Sequence, residues 1–213
     1  MKKLLVTLSL LVFYCCSFSQ DTVRLIHKNY TSVYSKSKSY PVSVEWWVTK
    51  KQVSCPTPVK RVDKFVPDPL LPNETNLAIY YKGSGFDRGH MSPAADNLCD
   101  GELVMSESFY FSNMSPQYHS LNAGDWKSLE THTRELALKH DSIRVWCGNI
   151  GEVRKIGRLS IPEKCWKVVY IKSQNKYHYF VFNNDKTKPD GMSNNEISKQ
   201  EFEKIVKLKL SIQ

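Results

Sequence analysis

The sequence predicts an α+β fold, and three observations carry that expectation. Strand-like runs lie both before and after one strong helical segment. No βαβ alternation joins them, so the strands are expected to pair mostly antiparallel. No repeat, low-complexity tract or linker divides the chain, and 213 residues suffice for one domain with a proper core.

The N-terminus stands apart from that domain. Lys2 and Lys3 precede an apolar run from Leu4 to Tyr14 and the small-x-small pattern Ser17-Phe18-Ser19. This is the layout of a secretory leader, expected over residues 1–19 with the domain over 20–213. The apolar run is too short for a membrane span. A soluble exported protein, secreted or periplasmic and without a membrane partner, is expected. A lipid-modified Cys15 or Cys16 is the alternative, though Val12-Phe13-Tyr14 is a poor approach to one.

Residues Asp21 to Tyr40 are polar with short apolar pieces and read as a lead-in strand plus loop. From Tyr40 to Val53 the alternation of Val42, Val44, Trp46 and Val48 predicts a strand. Cys55 to Asn76 holds Pro56, Pro58, Pro67, Pro69 and Pro72, which exclude regular structure over most of it. That stretch is expected as a surface loop bringing Arg61 and Phe65 onto the body. Between Asn122 and His140, Trp126, Leu129, Thr133, Leu136 and Ala137 make a continuous apolar face, the best helical pattern in the chain. Strands are expected at Ile143–Cys147, Cys165–Ile171 and Tyr177–Phe182, with turn-rich Gly148–Pro162 and Lys172–Lys176 between them. Ser198–Leu210 reads as a short amphipathic helix. Trp46, Trp47, Trp146 and Trp166 are expected in the core, His27 and His178 at the surface or core edge. His119, His132 and His140 are expected to face solvent, His119 near enough in sequence to flank a site around residue 90.

Without the leader's Cys15 and Cys16, the cysteines are Cys55, Cys99, Cys147 and Cys165. No Cys-x-x-Cys or Cys/His cluster is present, which argues against a structural zinc site. In an oxidising compartment up to two disulfides can form; four buried free thiols is the other reading. Cys147 and Cys165 end and begin successive strand-like runs, so they are the expected pair if any forms. The formal charge of +9 favours a polyanionic partner, although many exported proteins are basic without binding one.

One stretch carries chemistry: Gly83-Ser84-Gly85-Phe86-Asp87-Arg88-Gly89-His90-Met91-Ser92-Pro93. An imidazole can be neutral near pH 7 and accept a proton from water, and here an arginine and a carboxylate flank it. Downstream, Asn122, Trp126, Glu130 and Arg134 follow at four-residue steps, which stacks neighbours on one side of a helix. An amide and a carboxylate there can hold a hard cation such as Mg²⁺, which keeps most of its waters and needs few protein ligands. Base, cation and arginines together are the equipment for phosphodiester hydrolysis. The plainer alternative for Glu130 and Arg134 is an ordinary helical ion pair.

Asp87-Arg88-Gly89-His90, then Ser112-Asn113 with Pro116-Gln117, then Asn-x₃-Trp-x₃-Glu, resembles the DNA/RNA non-specific endonucleases, a branch of the ββα-metal (His-Me finger) nucleases. The resemblance runs from about Tyr40 to Ile171. It implies a core of two strands crossed by one helix, embedded in a larger antiparallel sheet with flanking helices. It implies His90 as general base, Asn122 as direct metal ligand and Glu130 on metal-bound water. Arg88 and Arg134 are implied to bind phosphate, and Asp87 to orient the site. Asn113 is implied to brace the histidine region or the metal helix, and is counted among the substrate-binding residues. Arg61 is the best match for a further upstream arginine, with Lys60 and Lys64 as alternatives. The implied activity is exported, Mg²⁺-dependent cleavage of DNA and RNA with little sequence preference and 5′-phosphate products, Mn²⁺ or another divalent ion substituting. A non-catalytic nucleic-acid binder and a phosphodiesterase for small nucleotides or lipids are the rivals. Oligomeric state is left open.

Overall fold

In the computed structural model, residues 21–207 are described; the expected leader and the last three residues of the helix expected over Ser198–Leu210 lie outside them. Strands β1 (Thr22–Ile26), β2 (Tyr30–Ser35) and β3 (Tyr40–Thr49) form an antiparallel meander. The stretch expected as one strand plus loop is thus two strands. Its short apolar pieces pair with each other across the turn at His27–Asn29, a match that composition did not reveal. A Thr49–Gln52 capping box opens the short α1 (Lys50–Val53).

The proline-rich stretch follows without a helix or strand until α2 (Ala78–Tyr81). Then come β4 (Asp87–His90), α3 (Glu102–Glu107) and β5 (Met114–Gln117). After α4 (His119–Leu121), a widened turn of π type spans Asn122–Trp126 and leads into α5 (Lys127–His140). Strands β6 (Ser142–Ile150), β7 (Arg154–Ile156), β8 (Leu159–Ile161), β9 (Lys164–Ile171), β10 (Lys176–Asn183) and β11 (Glu196–Ile197) precede α6 (Lys199–Val206).

Seven strands form one sheet in the order β1-β2-β3-β6-β9-β10-β11, antiparallel at every pairing. The alternation in β3 sends Val44, Trp46 and Val48 to one face. There they join Val145, Val169, Phe182 and the α5 residues Leu129 and Ala137 in the main core. On the other face α6 lays Phe202 and Val206 over Trp146, Trp166, Val168 and Tyr179. Trp47, at the opposite phase from Trp46, is 38% exposed and outside the core. His27 is enclosed rather than superficial, its Nε2 2.9 Å from the buried Asp68 carboxylate.

Two further expectations are corrected. The disulfide joins Cys55 to Cys99, with Cα atoms 5.8 Å apart, whereas Cys147 and Cys165 are free and buried. The β6–β9 register explains the failure of the expected pair: Cys147 lies opposite Lys167, and Cys165 opposite Asn149. Cys165 Sγ instead donates to Asn149 Oδ1 at 3.3 Å. The turn-rich Gly148–Pro162 also contains a hairpin, β7–β8, whose Leu159 and Ile161 are fully buried.

Candidate active site

The site begins with a two-stranded ribbon. Strand β4 pairs with β5 so that Asp87 faces Gln117, Gly89 faces Ser115 and His90 faces Met114. Gly89 has no room for a side chain, since a Cβ there would lie 1.9 Å from Gln117 Oε1. The fully buried Asn113 fastens the ribbon's end: its Oδ1 accepts from Ser92 N at 2.9 Å, and its Nδ2 donates to the Ser92 and Ser108 carbonyls. Enclosed and committed to backbone, Asn113 braces the strand carrying His90 and does not line the cleft.

The π-type turn sets the helix against this ribbon. Gly124, with non-helical backbone angles, breaks the regular α spacing, and Pro189 fills the space that a Cβ would occupy. Asn122 and Trp126 therefore are not stacked by the simple four-residue rule, and such widened turns recur at functional sites. Trp126 is buried and donates its Nε1–H to the His90 carbonyl at 3.1 Å. One indole thus locks helix to ribbon and completes the expected strand-strand-helix unit.

Arg61, Phe65, Phe86, Asp87, Arg88, His90, Asn122, Lys127 and Glu130 line a polar cleft of about 360 Å³, with Pro93, Ala94 and Ala95 completing its wall. The His90 ring stands at 90° to Phe109, centroids 4.9 Å apart, and tilts onto Phe65 at 5.7 Å. Its Nε2 is shut off from solvent and has no hydrogen-bond partner among the described residues. Burial, then the nearby Arg61 charge, lowers the imidazole pKa to about 3. His90 is therefore neutral at pH 7, the state a proton acceptor needs.

The arginines differ in how they are held. Arg88 lies over Phe65 and Tyr81, its guanidinium carbon 4.9 and 5.7 Å from the ring centroids. Arg61 reaches the same cleft from the proline-rich loop, over Phe109 at 5.4 Å and with its Nε 2.6 Å from Asp63. Arg134 is not brought to the cleft wall. It is bound to Asp96 at 3.2 Å and to Thr131 at 3.0 Å, so its placement fits charge compensation of a buried aspartate better than phosphate contact.

Asn122 donates its Nδ2 to Asp87 Oδ2 at 2.9 Å, and His119 Nδ1 lies 2.8 Å from the same oxygen. A carboxylate accepts only from the amide nitrogen, so this bond fixes the amide and leaves Asn122 Oδ1 as the free donor atom. Glu130 is largely enclosed. Burial pushes its carboxyl up to about 7 against the opposing pull of Lys167, whose Nζ stands 3.9 Å from Glu130 Oε1. Two oxygen donors of the hard type thus border the cleft from one helical segment, a set that suits a divalent cation keeping most of its waters. Among the described residues no group of three His, Cys, Asp or Glu side chains forms a closed metal cage.

Several of these residues escaped the sequence reading. Lys127 lines the cleft next to the turn. Lys167 is 1% exposed and stands 3.9 Å above the Trp126 ring; a lysine inside the apolar run Cys165–Ile171 was the available signal. Asp96 accepts from Trp46 Nε1 at 3.0 Å as well as from Arg134. Nothing in the loop sequence marked it.

Comparison with known proteins supplies a family context. The family model described as DNA/RNA non-specific endonuclease matches residues 13–210. A nuclease of a Nostoc species is 30% identical over 155 residues, covering 71% of this chain and 55% of that protein. The mitochondrial nuclease EXOG of Homo sapiens is 30% identical over 163 residues, covering 67% and 42%. Nuclease C1 of Cunninghamella echinulata is 36% identical over 136 residues, covering 56% and 53%. The chain thus spans about half the length of these relatives. A chain from the crystal structure of the EndoG/EndoGI complex superposes with a TM-score of 0.75 at 24% identity, covering 88% of this chain and 84% of that one; the likeness is one of fold.

Proposed function

The chain belongs to the DNA/RNA non-specific endonuclease family, and from that premise we propose that it is an exported, divalent-metal-dependent endonuclease hydrolysing DNA and RNA. The observation that carries the reading is the neutral, part-enclosed His90 imidazole, facing across one cleft the free amide oxygen of Asn122 and the Glu130 carboxyl.

In this reading a phosphodiester enters beside Arg88 and Arg61, whose charges neutralise the phosphoryl oxygens. Arg88 is already ordered by its two aromatic neighbours, so little side-chain freedom is lost on binding. A water molecule in line with the leaving oxygen gives its proton to His90. The new P–O bond forms as the P–O3′ bond breaks, leaving a 5′-phosphate and a 3′-oxygen that takes up a proton. Asn122 Oδ1 and Glu130 would hold the divalent cation. When bound, it supplies charge neutralisation at the phosphoryl and departing oxygens; Mg²⁺ fits the oxygen donors, and Mn²⁺ could replace it. Asp87 keeps the Asn122 amide turned the right way. Contacts to phosphate carry no base information, and a water nucleophile has no need of the ribose 2′-hydroxyl. Both nucleic acids should therefore be cut.

Export is supported by the leader-like residues 1–19 together with the Cys55–Cys99 disulfide, a bond that persists in oxidising compartments. The direct test incubates purified protein with plasmid and with RNA, in Mg²⁺ or in EDTA. Internal cuts with 5′-phosphate ends are expected only with metal. RNA-only cleavage through 2′,3′-cyclic ends in EDTA would overturn the mechanism. In the same assay His90→Ala should fold yet lose about 10²–10⁴ in rate.

A further inference from the structure

Beyond the cleft, two cations are mounted on aromatic rings that lead directly out of it. Phe86 lines the cleft beside Asp87 and Arg88, and its ring meets Tyr118 at 4.6 Å between centroids. Arg154, on β7, places its guanidinium carbon 5.2 Å from the Phe86 centroid. Lys186 places its Nζ 5.9 Å from the Tyr118 centroid. Both cations are exposed, and neither forms an ion pair among the described residues.

We propose that Phe86–Arg154 and Tyr118–Lys186 form a track for the nucleic-acid backbone, lengthening the enzyme's footprint on one side of the cleft. The proposal rests on the nuclease reading and adds to it a place on the surface that grips strand beyond the cleaved bond.

The hairpin bearing Arg154 is built as a rigid mount. Leu159 and Ile161 sink into the same apolar cluster as Phe86, Phe111 and Met114. Gly157, with φ +57°, lies so close to Tyr80 that a Cβ would come 2.2 Å from its ring. The hairpin's other cations are already employed: Arg158 Nη2 donates to the Asn73 and Asn76 carbonyls, and Lys155 Nζ donates to the Ser37 carbonyl at 3.2 Å and pairs with Glu152. Among the described residues, the Arg154 guanidinium has the face of Phe86 and no ion pair. A guanidinium over a ring keeps its N–H edge available for phosphate, and one held on a rigid mount loses little freedom when it binds. The cleft carboxylate Asp87 is held by Asn122 and His119, and the track's own charges, Arg154 and Lys186, are positive.

The test compares the full chain with Arg154→Ala/Lys186→Ala and with Lys199→Ala/Lys204→Ala, which removes the same charge from α6. Binding of a labelled 20-nucleotide single strand is titrated in EDTA over a range of salt, and the Michaelis constant for that strand is measured in Mg²⁺. The track variant should bind on the order of tenfold more weakly at low salt, with a log–log salt slope shallower by about one to two. Arg154→Lys/Lys186→Ala should recover part of that loss, since it restores the charge. The α6 variant should match the parent. Equal behaviour of the two double variants, or an unchanged slope in the track variant, overturns the proposal. A parent that binds the strand but never cuts it defeats the hydrolytic reading alone, and the track is then judged by binding. A parent that does not bind the strand overturns both.

Discussion

At the scale of single residues, the pH behaviour of the site depends on enclosure. A histidine with its ordinary pKa near 6.5 would make activity fall as pH drops through that value. Phe65, Phe109 and Arg61 instead hold the His90 pKa at about 3, so the base stays neutral well below pH 6. Glu130 titrates first, because burial raises its carboxyl to about 7, and a proton there competes with a cation for the same oxygens. Activity at limiting Mg²⁺ should fall as pH drops through about 7, and more Mg²⁺ should move that midpoint downward. Rate–pH profiles at two Mg²⁺ concentrations decide it; a midpoint indifferent to Mg²⁺ would assign the acid limb to another group. Asn122→Ala should raise the Mg²⁺ concentration needed for half-maximal rate as well as lower the maximum. An unchanged requirement would remove Asn122 from the metal's ligands. Asp87, Arg88 and His90 were legible in the sequence because their motif is contiguous, and Asn122 because it opens the Asn-x₃-Trp-x₃-Glu pattern. Lys167 and Asp96 were not, since they reach Glu130 and Arg134 only through the sheet and a loop.

At the scale of elements, the apolar spacing of Leu129, Thr133 and Ala137 gave α5, alternation gave β3, and strand-like runs bounded by turn-rich stretches gave β6, β9 and β10. The same reasoning missed the irregularities that aim the site. A four-residue rhythm from Asn122 looks helical on paper, and only the fit of Gly124 against Pro189 reveals the widened turn. The ribbon is equally dependent on a close approach, between Gly89 and the buried Gln117 side chain. Gly89→Ala places a methyl where Gln117 lies, and overpacking of this kind costs about 1–3 kcal/mol. Its melting temperature should drop, and activity at a temperature where it remains folded should also fall, because β4 carries both Arg88 and His90. Full activity and an unshifted melting curve would show that Gln117 swings aside without disturbing the ribbon.

At the scale of the whole molecule, the site is assembled from distant parts of the chain and tied by one covalent bond. Arg61 and Phe65 come from a proline-rich loop with no helix or strand of its own, while His90 and Arg88 sit on the ribbon. The Cys55–Cys99 bond closes the chain around all four. Sequence showed an even set of cysteines but not their partners, because pairing depends on a loop path that prolines leave irregular. It also favoured Cys147 and Cys165, which the β6–β9 register sets opposite other residues. Cys147 and Cys165 are already free thiols, so among the described residues a mild reductant has the Cys55–Cys99 bond alone to act on. Closing a loop with a sequence separation of 44 restricts the unfolded chain enough to stabilise the fold by about 2–4 kcal/mol. Reduction should lower the urea midpoint accordingly, and Cys55→Ser/Cys99→Ser should reproduce the shift without reductant. Loosening the loop also frees Phe65 from the His90 and Arg88 faces and lets Arg61 leave the cleft. The Michaelis constant for DNA should rise even where the protein remains fully folded. A reduced protein with the same urea midpoint and the same Michaelis constant would mean that packing of Phe65 against Phe109 and Phe111 holds the loop without the bond.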